Sequence, residues 1–511
     1  MILKAIFSFF LGTLLILAFE PFNFWIFSLI IPFLILITLE KQNPKVSFIL
    51  GYFFGLGFWL IGIFWIENSI NVYGGANVFA ASFLTIVLSM FLSLFQGLIF
   101  LTYSFLRNDN FLARLLLFPS VWVLSEWLRE FLFSGFPWLY VGYTSIDNFF
   151  INGFIPVAGI FGMSFIIVLL SSSALEFIKS VKKLNSSSII LCSSLILLIC
   201  LSNIFLIRVD WTTSTNEIDI VVVQPNIGIK EKWTSSGKRE STDIMGGFLI
   251  KESPRLINKA ETPKLFFFPE VFLPGQFSNF GFYLKPFLTL AEKANIGVIA
   301  GTLSKNEEND EIYNSLISFG NLKGQYRKER LVPFGEYVPY SFFNYFFNFF
   351  NFSRPEVSAA VNNELIMGDG YSIFASICYE VSFQDLFFKY APQSNLLFSA
   401  SNDAWFGETI GPHQHLQIAR FRAAENRKPL IRSTTSGISA VINERGGIID
   451  LIEIDDEVSK RNNPQELSLK INLFKGTTPV NSYGKMPIII LLLTILMVSS
   501  YLKLRKIREN K

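Results

Sequence analysis

The sequence predicts a membrane protein with an α/β domain: eight transmembrane helices, and a layered α/β unit between the seventh and the eighth. Three observations predict it. Only 16% of the 511 residues are charged and 57 are Phe, with a mean hydropathy of +0.43, whereas soluble domains carry about 25% charged residues. The apolar excess lies at the two ends of the chain, in stretches close to the roughly 20 residues that a helix needs to cross a bilayer. The middle of the chain has mixed polarity, frequent turn residues and short β-prone runs separated by helical ones.

Seven apolar stretches precede residue 210, near 4–20, 23–40, 46–67, 78–106, 112–133, 153–178 and 188–207, and an eighth covers Pro487–Leu502. The chain opens Met1-Ile-Leu-Lys4 and turns apolar, as a signal peptide does. No small-residue cleavage site follows and further spans come after it, so the expectation is a retained first helix. If eight helices alternate, Lys4, Lys41, Lys45, Arg107, Arg114, Lys179, Lys182, Lys183 and the tail Lys503, Arg505, Lys506, Arg508 and Lys511 fall on one side. The opposite loops, Glu20–Asn23, Asn68–Asn77 and the stretch with Arg129 and Asp147, carry little positive charge. The positive-inside rule then makes both termini cytoplasmic and puts the large domain outside the bacterial cytoplasmic membrane, in the periplasm of a Gram-negative cell. The predicted organisation is a seven-helix unit over 1–210, an extracytoplasmic domain over 215–475, and a last helix with a basic tail over 485–511.

The loop after the fifth span, Ser134-Gly-Phe-Pro-Trp138-Leu-Tyr140-Val-Gly-Tyr143, reads as an interfacial aromatic belt or as the lining of a lipid entrance. Glu126 and Arg129, three residues apart, are placed to pair on one helix face. Within the large domain, Ile218–Val223 is a predicted strand ending in Gln224-Pro-Asn226, followed by polar helical sequence to about Ala260. Leu265–Phe268, Gly297–Leu303, Tyr313–Phe319, Ser372–Ile377 and Asn395–Ala400 are further predicted strands, and Gly437–Asn443 with Gly447–Ile452 forms a predicted hairpin. Near-continuous apolar strands with helices between them favour a buried, layered α/β arrangement.

Of the three cysteines, Cys192 and Cys200 lie in one apolar span, where cysteine behaves as a small hydrophobe. Cys378 closes the strand Tyr371–Ile377 in polar company, and Glu380 follows two residues later. A lone thiol there is inert core or a nucleophile. Two other strand ends bear on the choice: Glu270 follows Leu265–Phe268, and Lys328 stands in Tyr326-Arg-Lys-Glu-Arg-Leu-Val-Pro-Phe-Gly-Glu336. Strand ends at one edge of a sheet converge in space. A carboxylate can take the proton of a thiol that is only a few per cent ionised near neutrality, and a lysine can stabilise an oxyanion. Histidine is the usual base for cysteine, but His413 and His415 lie away from any predicted strand end and read either as catalytic groups or as polar residues at a helix start, the second being favoured.

In the order Glu, Lys, Cys, these residues resemble the Glu-Lys-Cys triad of the nitrilase superfamily. The blocks Leu331-Val-Pro-Phe-Gly-Glu336-Tyr-Val-Pro339, Ile377-Cys-Tyr-Glu380, Ser401-Asn-Asp-Ala-Trp405-Phe-Gly407, Arg432-Ser-Thr-Thr-Ser-Gly437 and Gln224-Pro-Asn226 with Trp233 resemble the signatures of the apolipoprotein N-acyltransferase family. The similarity runs through the seven helices, the domain and the final helix. Phe268-Pro-Glu-Val departs from the Trp-Pro-Glu-Thr common in that family but keeps its Pro-Glu. The resemblance implies a nitrilase-like αββα sandwich and a two-step acyl transfer through a thioester on Cys378. Its donor would be the sn-1 ester of a glycerophospholipid, and its acceptor the α-amine of the diacylglyceryl cysteine that begins an apolipoprotein.

By the same resemblance Glu270 is the general base, Lys328 the oxyanion stabiliser and Glu336 a supporting carboxylate. Tyr379 and Glu380 flank the nucleophile, and Trp233 and Trp405 match aromatics on mobile lids, with domain core as their alternative. Trp138 is a further candidate for substrate contact. The expected partners are the phospholipid donor, the lipoprotein acceptor and the bilayer, and the expected state is a monomer.

No cofactor is implied, and no His/Cys/Asp cluster has metal-ligand spacing. The net charge of +3 and the lack of a basic run with interleaved aromatics argue against nucleic acid. A transporter would need ionisable or broken-helix features in mid-membrane, and few charges fall inside the spans. A membrane-anchored amide or nitrile hydrolase with the same triad would use water as acceptor; the triad alone leaves it open, and the helices and flanking blocks argue against it.

Overall fold

Strand β1 (Thr212–Gln224) organises the α/β unit of this computed structural model. The structure describes residues 1–509 apart from 253, 255–261, 307, 309, 342–356 and 454–462; the tail residue Lys511 and part of the helical stretch expected to reach Ala260 lie outside the described residues. Two compact units are distinguished: one comprises Met1–Val209, Glu408–Gln417 and Ser482–Lys511, the other Asp210–Gly407 and Ile418–Asn481.

In the second unit, β1 pairs in parallel with β2 (Lys264–Phe267), and β2 with β4 (Ile296–Lys305). Strand β3 (Leu273–Gln276) joins β4 from one side. Antiparallel partners continue the sheet: β5 (Ile312–Gly320) and then β6 (Gln325–Arg327) beyond β4, and β13 (Gln465–Gly476) beyond β1. A second sheet runs in the order β12 (Ile448–Ile452), β11 (Ser439–Ile442), β10 (Leu430–Thr434), β9 (Leu396–Ser401), β8 (Ser372–Ile377), β7 (Ile366–Met367). Its centre, β8-β9-β10, is parallel.

Side-chain alternation along the strands builds the layers. Val221 and Val223 of β1, with Phe266 and Phe268, bury against Met245 and Leu249 of α8 (Ser235–Lys251) and Leu284 and Ala291 of α9 (Gly281–Lys293). The intervening residues meet the other sheet: Phe267 packs on Phe398 with ring centroids 4.9 Å apart, and the Gln224 carboxamide oxygen accepts from the Thr434 and Ser439 hydroxyls. On the far face of the second sheet, Phe374 packs edge-on against Phe387 of α10 (Gln384–Tyr390). The unit is thus a helix–sheet–sheet–helix sandwich.

Five of the described strands escape the sequence pattern, the short β3, β6 and β7 together with β10 and β13. β10 contains Arg432, a charged residue in a fully buried run, and β13 alternates polar with apolar residues as a sheet-flanking strand does. The strands that the pattern does predict lie where expected, with ends shifted by a few residues, as β1 and β4 illustrate.

Among the described residues of the first unit, six helices are long and apolar enough to cross a membrane: Pro44–Gly62, Val78–Leu106, Phe111–Arg129, Asn152–Lys182, Ser186–Leu206 and Met486–Lys506. The stretches read as spans near 4–20 and 23–40 form shorter apolar helices, Ile2–Ala18 and Phe27–Leu39. The reason is local. Glu20 precedes Pro21, which disfavours helical geometry at that position. Phe27–Leu39 has 13 residues; at a rise of about 1.5 Å each, such a helix reaches about 20 Å of a hydrocarbon core of about 30 Å.

Glu126 accepts from the Trp122 indole and the Val141 N–H, while the Arg129 guanidinium lies over the rings of Trp59 and Tyr140 and donates to the Trp138 carbonyl. Trp138 is 1% exposed, so it is buried within this unit and not presented as a belt residue. Its indole N–H finds an acceptor in the Gln414 side chain, which makes that burial affordable.

Candidate active site

Glu270 sits in the turn that leaves β2. The turn approaches β4 so closely that a Cβ on Gly301 would stand 2.3 Å from the Pro269 carbonyl oxygen and 2.4 Å from the Val271 nitrogen. Only glycine fits there, and the contact holds the carboxylate, 7% exposed, at the end of the sheet. Its Oε1 accepts from the Asn314 carboxamide at 2.8 Å, with the Lys328 ammonium at 3.5 Å. Its Oε2 is buried and has no hydrogen-bond partner among the described residues.

Lys328 follows β6, and its N–H donates to the Asn314 carbonyl of β5. Its Nζ, 1% exposed with the rest of the side chain, donates to Glu336 at 2.8–2.9 Å. The Val332 N–H in turn donates to Glu336 Oε2, which fixes the intervening loop. The Asn314 carboxamide bridges Glu270 and Glu336, at 2.8 Å and 3.2 Å. Burial works against the Lys328 ammonium, but Glu336 and then Glu270 overcome it and hold the group charged well above the ordinary lysine range.

Cys378 ends β8 with a backbone φ of +52°. A non-glycine residue in that region costs roughly 1–2 kcal/mol. The benefit is a sharp strand-to-turn corner that lifts the side chain off the sheet. The following turn, Cys378–Ser382, is otherwise buried. Glu380 holds the corner: its Oε2 accepts from the Ile377 N–H at 2.7 Å, and its Oε1 from the N–H groups of Glu329 and Arg330 at 2.7 and 3.0 Å. One buried carboxylate thereby ties the cysteine turn to the lysine segment. Burial pushes its carboxyl up to about 7, against the charge of Lys328 and those three N–H donors. Tyr379 is buried with its ring edge-on to Phe383.

The Cys378 thiol is pushed up to about 12, first by burial and then by Glu270; Lys328 and a hydrogen bond to Ser401 pull it the other way. A thiol held up in this way would need a base beside it to act as a nucleophile. The Ser401 hydroxyl donates to Asp403 at 2.9 Å, and Asp403 pairs at 2.6 Å with Arg432, both fully buried. Breaking such a buried pair costs about 3–5 kcal/mol. This explains the charged residue inside β10.

Glu270, Lys328, Glu336, Cys378, Tyr379 and Glu380 thus belong to one neighbourhood. Trp233 and Trp405, 45% and 40% exposed, lie on short turns in the same unit, so neither is a core residue. Trp138 belongs to the other unit, where its ring packs near His415 at the start of α11 (Gly411–Asn426). Asn314 and Lys232, the latter buried with its Nζ 3.3 Å from the Val271 carbonyl, escape sequence reading. Nothing in their local patterns separates them from ordinary polar residues. Among the described residues no group of three or more His, Cys, Asp and Glu side chains is placed to hold a metal ion.

Residues 11–173 match the family model of the apolipoprotein N-acyltransferase N-terminal domain, and residues 250–458 match that of the carbon-nitrogen hydrolases. The chain is 30% identical over 514 residues to the apolipoprotein N-acyltransferase of Vibrio parahaemolyticus, covering 97% of both chains. It is 30% identical over 502 residues to that of Coxiella burnetii, covering 96% of this chain and 98% of the relative. With that of Haemophilus influenzae it shares 30% identity over 514 residues, covering 98% and 95%.

Proposed function

Because the chain belongs to the apolipoprotein N-acyltransferase family, we propose that it moves the sn-1 acyl chain of a glycerophospholipid, through a thioester on Cys378, to the α-amine of the S-diacylglyceryl cysteine that begins an apolipoprotein. The observation that carries this reading is a thiol acted on by both a buried ammonium and a carboxylate that keeps one unpartnered oxygen. Glu270 accepts the thiol proton as the sulfur attacks the ester carbonyl, and Lys328 stabilises the developing oxyanion. When the C–O bond breaks, the lysophospholipid oxygen takes that proton from Glu270. In the second half, the acceptor amine attacks the thioester and Glu270 takes its proton. The sulfur leaves and regains a proton as the amide forms.

Glu336 supports Lys328 and Glu270, while Tyr379 and Glu380 shape the corner of the nucleophile. Trp233 and Trp405 serve as lids over the bound chain, and their exposure supports that role. The chemistry is tested by intact mass. Incubation of the enzyme with one defined phospholipid should add a single acyl group, and a diacylated lipopeptide should then remove it and appear triacylated. Free fatty acid as the sole product would make the protein a hydrolase and defeat the proposal.

The same reading takes the two short apolar helices with the six long ones as eight crossings of the inner membrane. It divides the chain into the helical 1–210, the catalytic domain 215–475 on the periplasmic side, and the terminal helix and tail 485–511. The loop charges support both termini being cytoplasmic. Reporters fused near residue 240 and after residue 511 should report periplasm and cytoplasm, respectively; the reverse pattern would invert the topology.

A further inference from the structure

Lys232 brings a second ammonium to Glu270. It lies in the turn Glu231–Trp233, immediately before the exposed Trp233, yet is itself only 4% exposed. The turn is clasped by the start of α8: a Cβ on Gly237 would stand 2.2 Å from the Glu231 carbonyl oxygen and 2.6 Å from the Lys232 Cα. From this clasp the lysine reaches inward, and its Nζ donates to the carbonyl of Val271, the residue after Glu270, at 3.3 Å.

A lysine stem buried to that extent loses hydration that a single carbonyl does not replace, so its position needs another cause. Charge supplies one. Glu270 and Glu336 share one ammonium, Lys328, and a lone pair of carboxylates around one cation leaves a buried excess of negative charge. Such an excess resists a developing thiolate or oxyanion. A second ammonium removes it. Glu270 is the charged side chain that acts on Lys232, and Lys328, Glu336 through Asn314, and the Cys378 thiol act on Glu270 from the elements packed around it. Glu380 lies beyond Lys328 and has its own three N–H donors.

We propose that Lys232 is a positioning residue for the acyl transfer: its ammonium offsets the buried carboxylate charge against which the oxyanion must develop, and its tether to Val271 fastens the Trp233 turn to the segment that carries Glu270. The inference rests on the reading of Glu270 as the general base. Burial lowers the Lys232 ammonium to about 8, with Glu270 opposing the shift. The positive charge is therefore present below that pH and lost above it.

The experiment follows thioester formation by intact mass from pH 6 to 10 with the full-length enzyme in phospholipid vesicles, for wild type, Lys232→Met, Lys232→Arg and Glu270→Gln. The wild-type acylation rate should fall as pH rises through about 8. Lys232→Met, similar in size and uncharged, should acylate slower by on the order of tenfold, a change of about 1.4 kcal/mol in the barrier, and should lose the alkaline fall. Lys232→Arg, which keeps its charge, should retain acylation and move the fall to higher pH. If Lys232→Met keeps the alkaline fall, or Lys232→Arg leaves it where the wild type has it, the lysine is packing only and the inference is overturned. Glu270→Gln separates the two levels. If it acylates at the wild-type rate, the base assignment itself is wrong. If it does not acylate while Lys232→Met matches wild type in rate and profile, only the role of Lys232 falls.

Discussion

Cys378→Ser should form no acyl-enzyme on the timescale on which the wild type is expected to be fully acylated. The exchange replaces one sulfur by one oxygen at the end of β8 and leaves the corner, its φ of +52° and the Glu380 hydrogen bonds in place. What changes is the nucleophile. A serine hydroxyl is a far weaker acid than a thiol, and in the proposed mechanism Glu270 deprotonates sulfur with Lys328 alongside and completes no serine–histidine pair. Losing the covalent step should cost at least about 10³-fold to 10⁴-fold in turnover, the scale seen when one member of a nucleophilic set is removed. Thermal unfolding should change little, since the substitution empties no cavity. The measurement is intact mass after incubation with phospholipid, beside a melting curve. A serine variant that gains the same acyl mass as wild type would remove Cys378 from the mechanism.

Lys328→Met should lose turnover and stability together. Turnover should fall by about 10²-fold to 10³-fold if Lys328 stabilises the oxyanion as proposed. Stability falls because the shared cation between Glu270 and Glu336 is gone and two carboxylates remain around the Asn314 amide. Breaking a buried pair costs about 3–5 kcal/mol, below the 5–15 kcal/mol total of a typical domain, so the fold should survive with a lower melting temperature. The pH dependence has a definite sign. In the wild type Lys328 is held charged above the ordinary lysine range, so its contribution is present throughout the neutral range and is lost only at strongly alkaline pH. In the variant, two facing carboxylates favour holding a proton in the folded state, so stability should rise as pH falls. Turnover equal to wild type would take Lys328 out of the reaction. A melting temperature indifferent to pH would contradict the charge argument.

The strand ends that carry Glu270 and Cys378 could be read in advance because each is announced locally. Phe266, Phe267 and Phe268 lead to Pro269-Glu270, and an apolar run leads to Cys378, so a β-prone segment with a reactive group at its end is visible within ten residues. Asn314 offers no such signal. It lies inside β5, and its value comes from two carboxylates that are 44 and 22 positions away. Glu380 was readable as a flanking residue, but its three backbone donors come from both its own turn and the lysine segment some 50 positions earlier. Lys232 looks like the solvated neighbour of a tryptophan until Gly237 and Val271 close around it. The first two helices failed the span criterion for a different reason. Hydropathy registers apolar length and is blind to where a proline or a turn stops the helix.

Composition and order along the chain settled that apolar helices bracket an α/β unit and that one cysteine lies in polar company, because bilayer thickness and strand periodicity act over a few to twenty neighbouring residues. Folding alone decided how the charges are shared: which carboxylate keeps a bare oxygen, which ammonium neutralises which pair, and how a buried arginine is compensated. Those outcomes depend on distances between residues far apart in the chain, and in a low-dielectric interior a few ångströms separate a stabilised charge from a forbidden one.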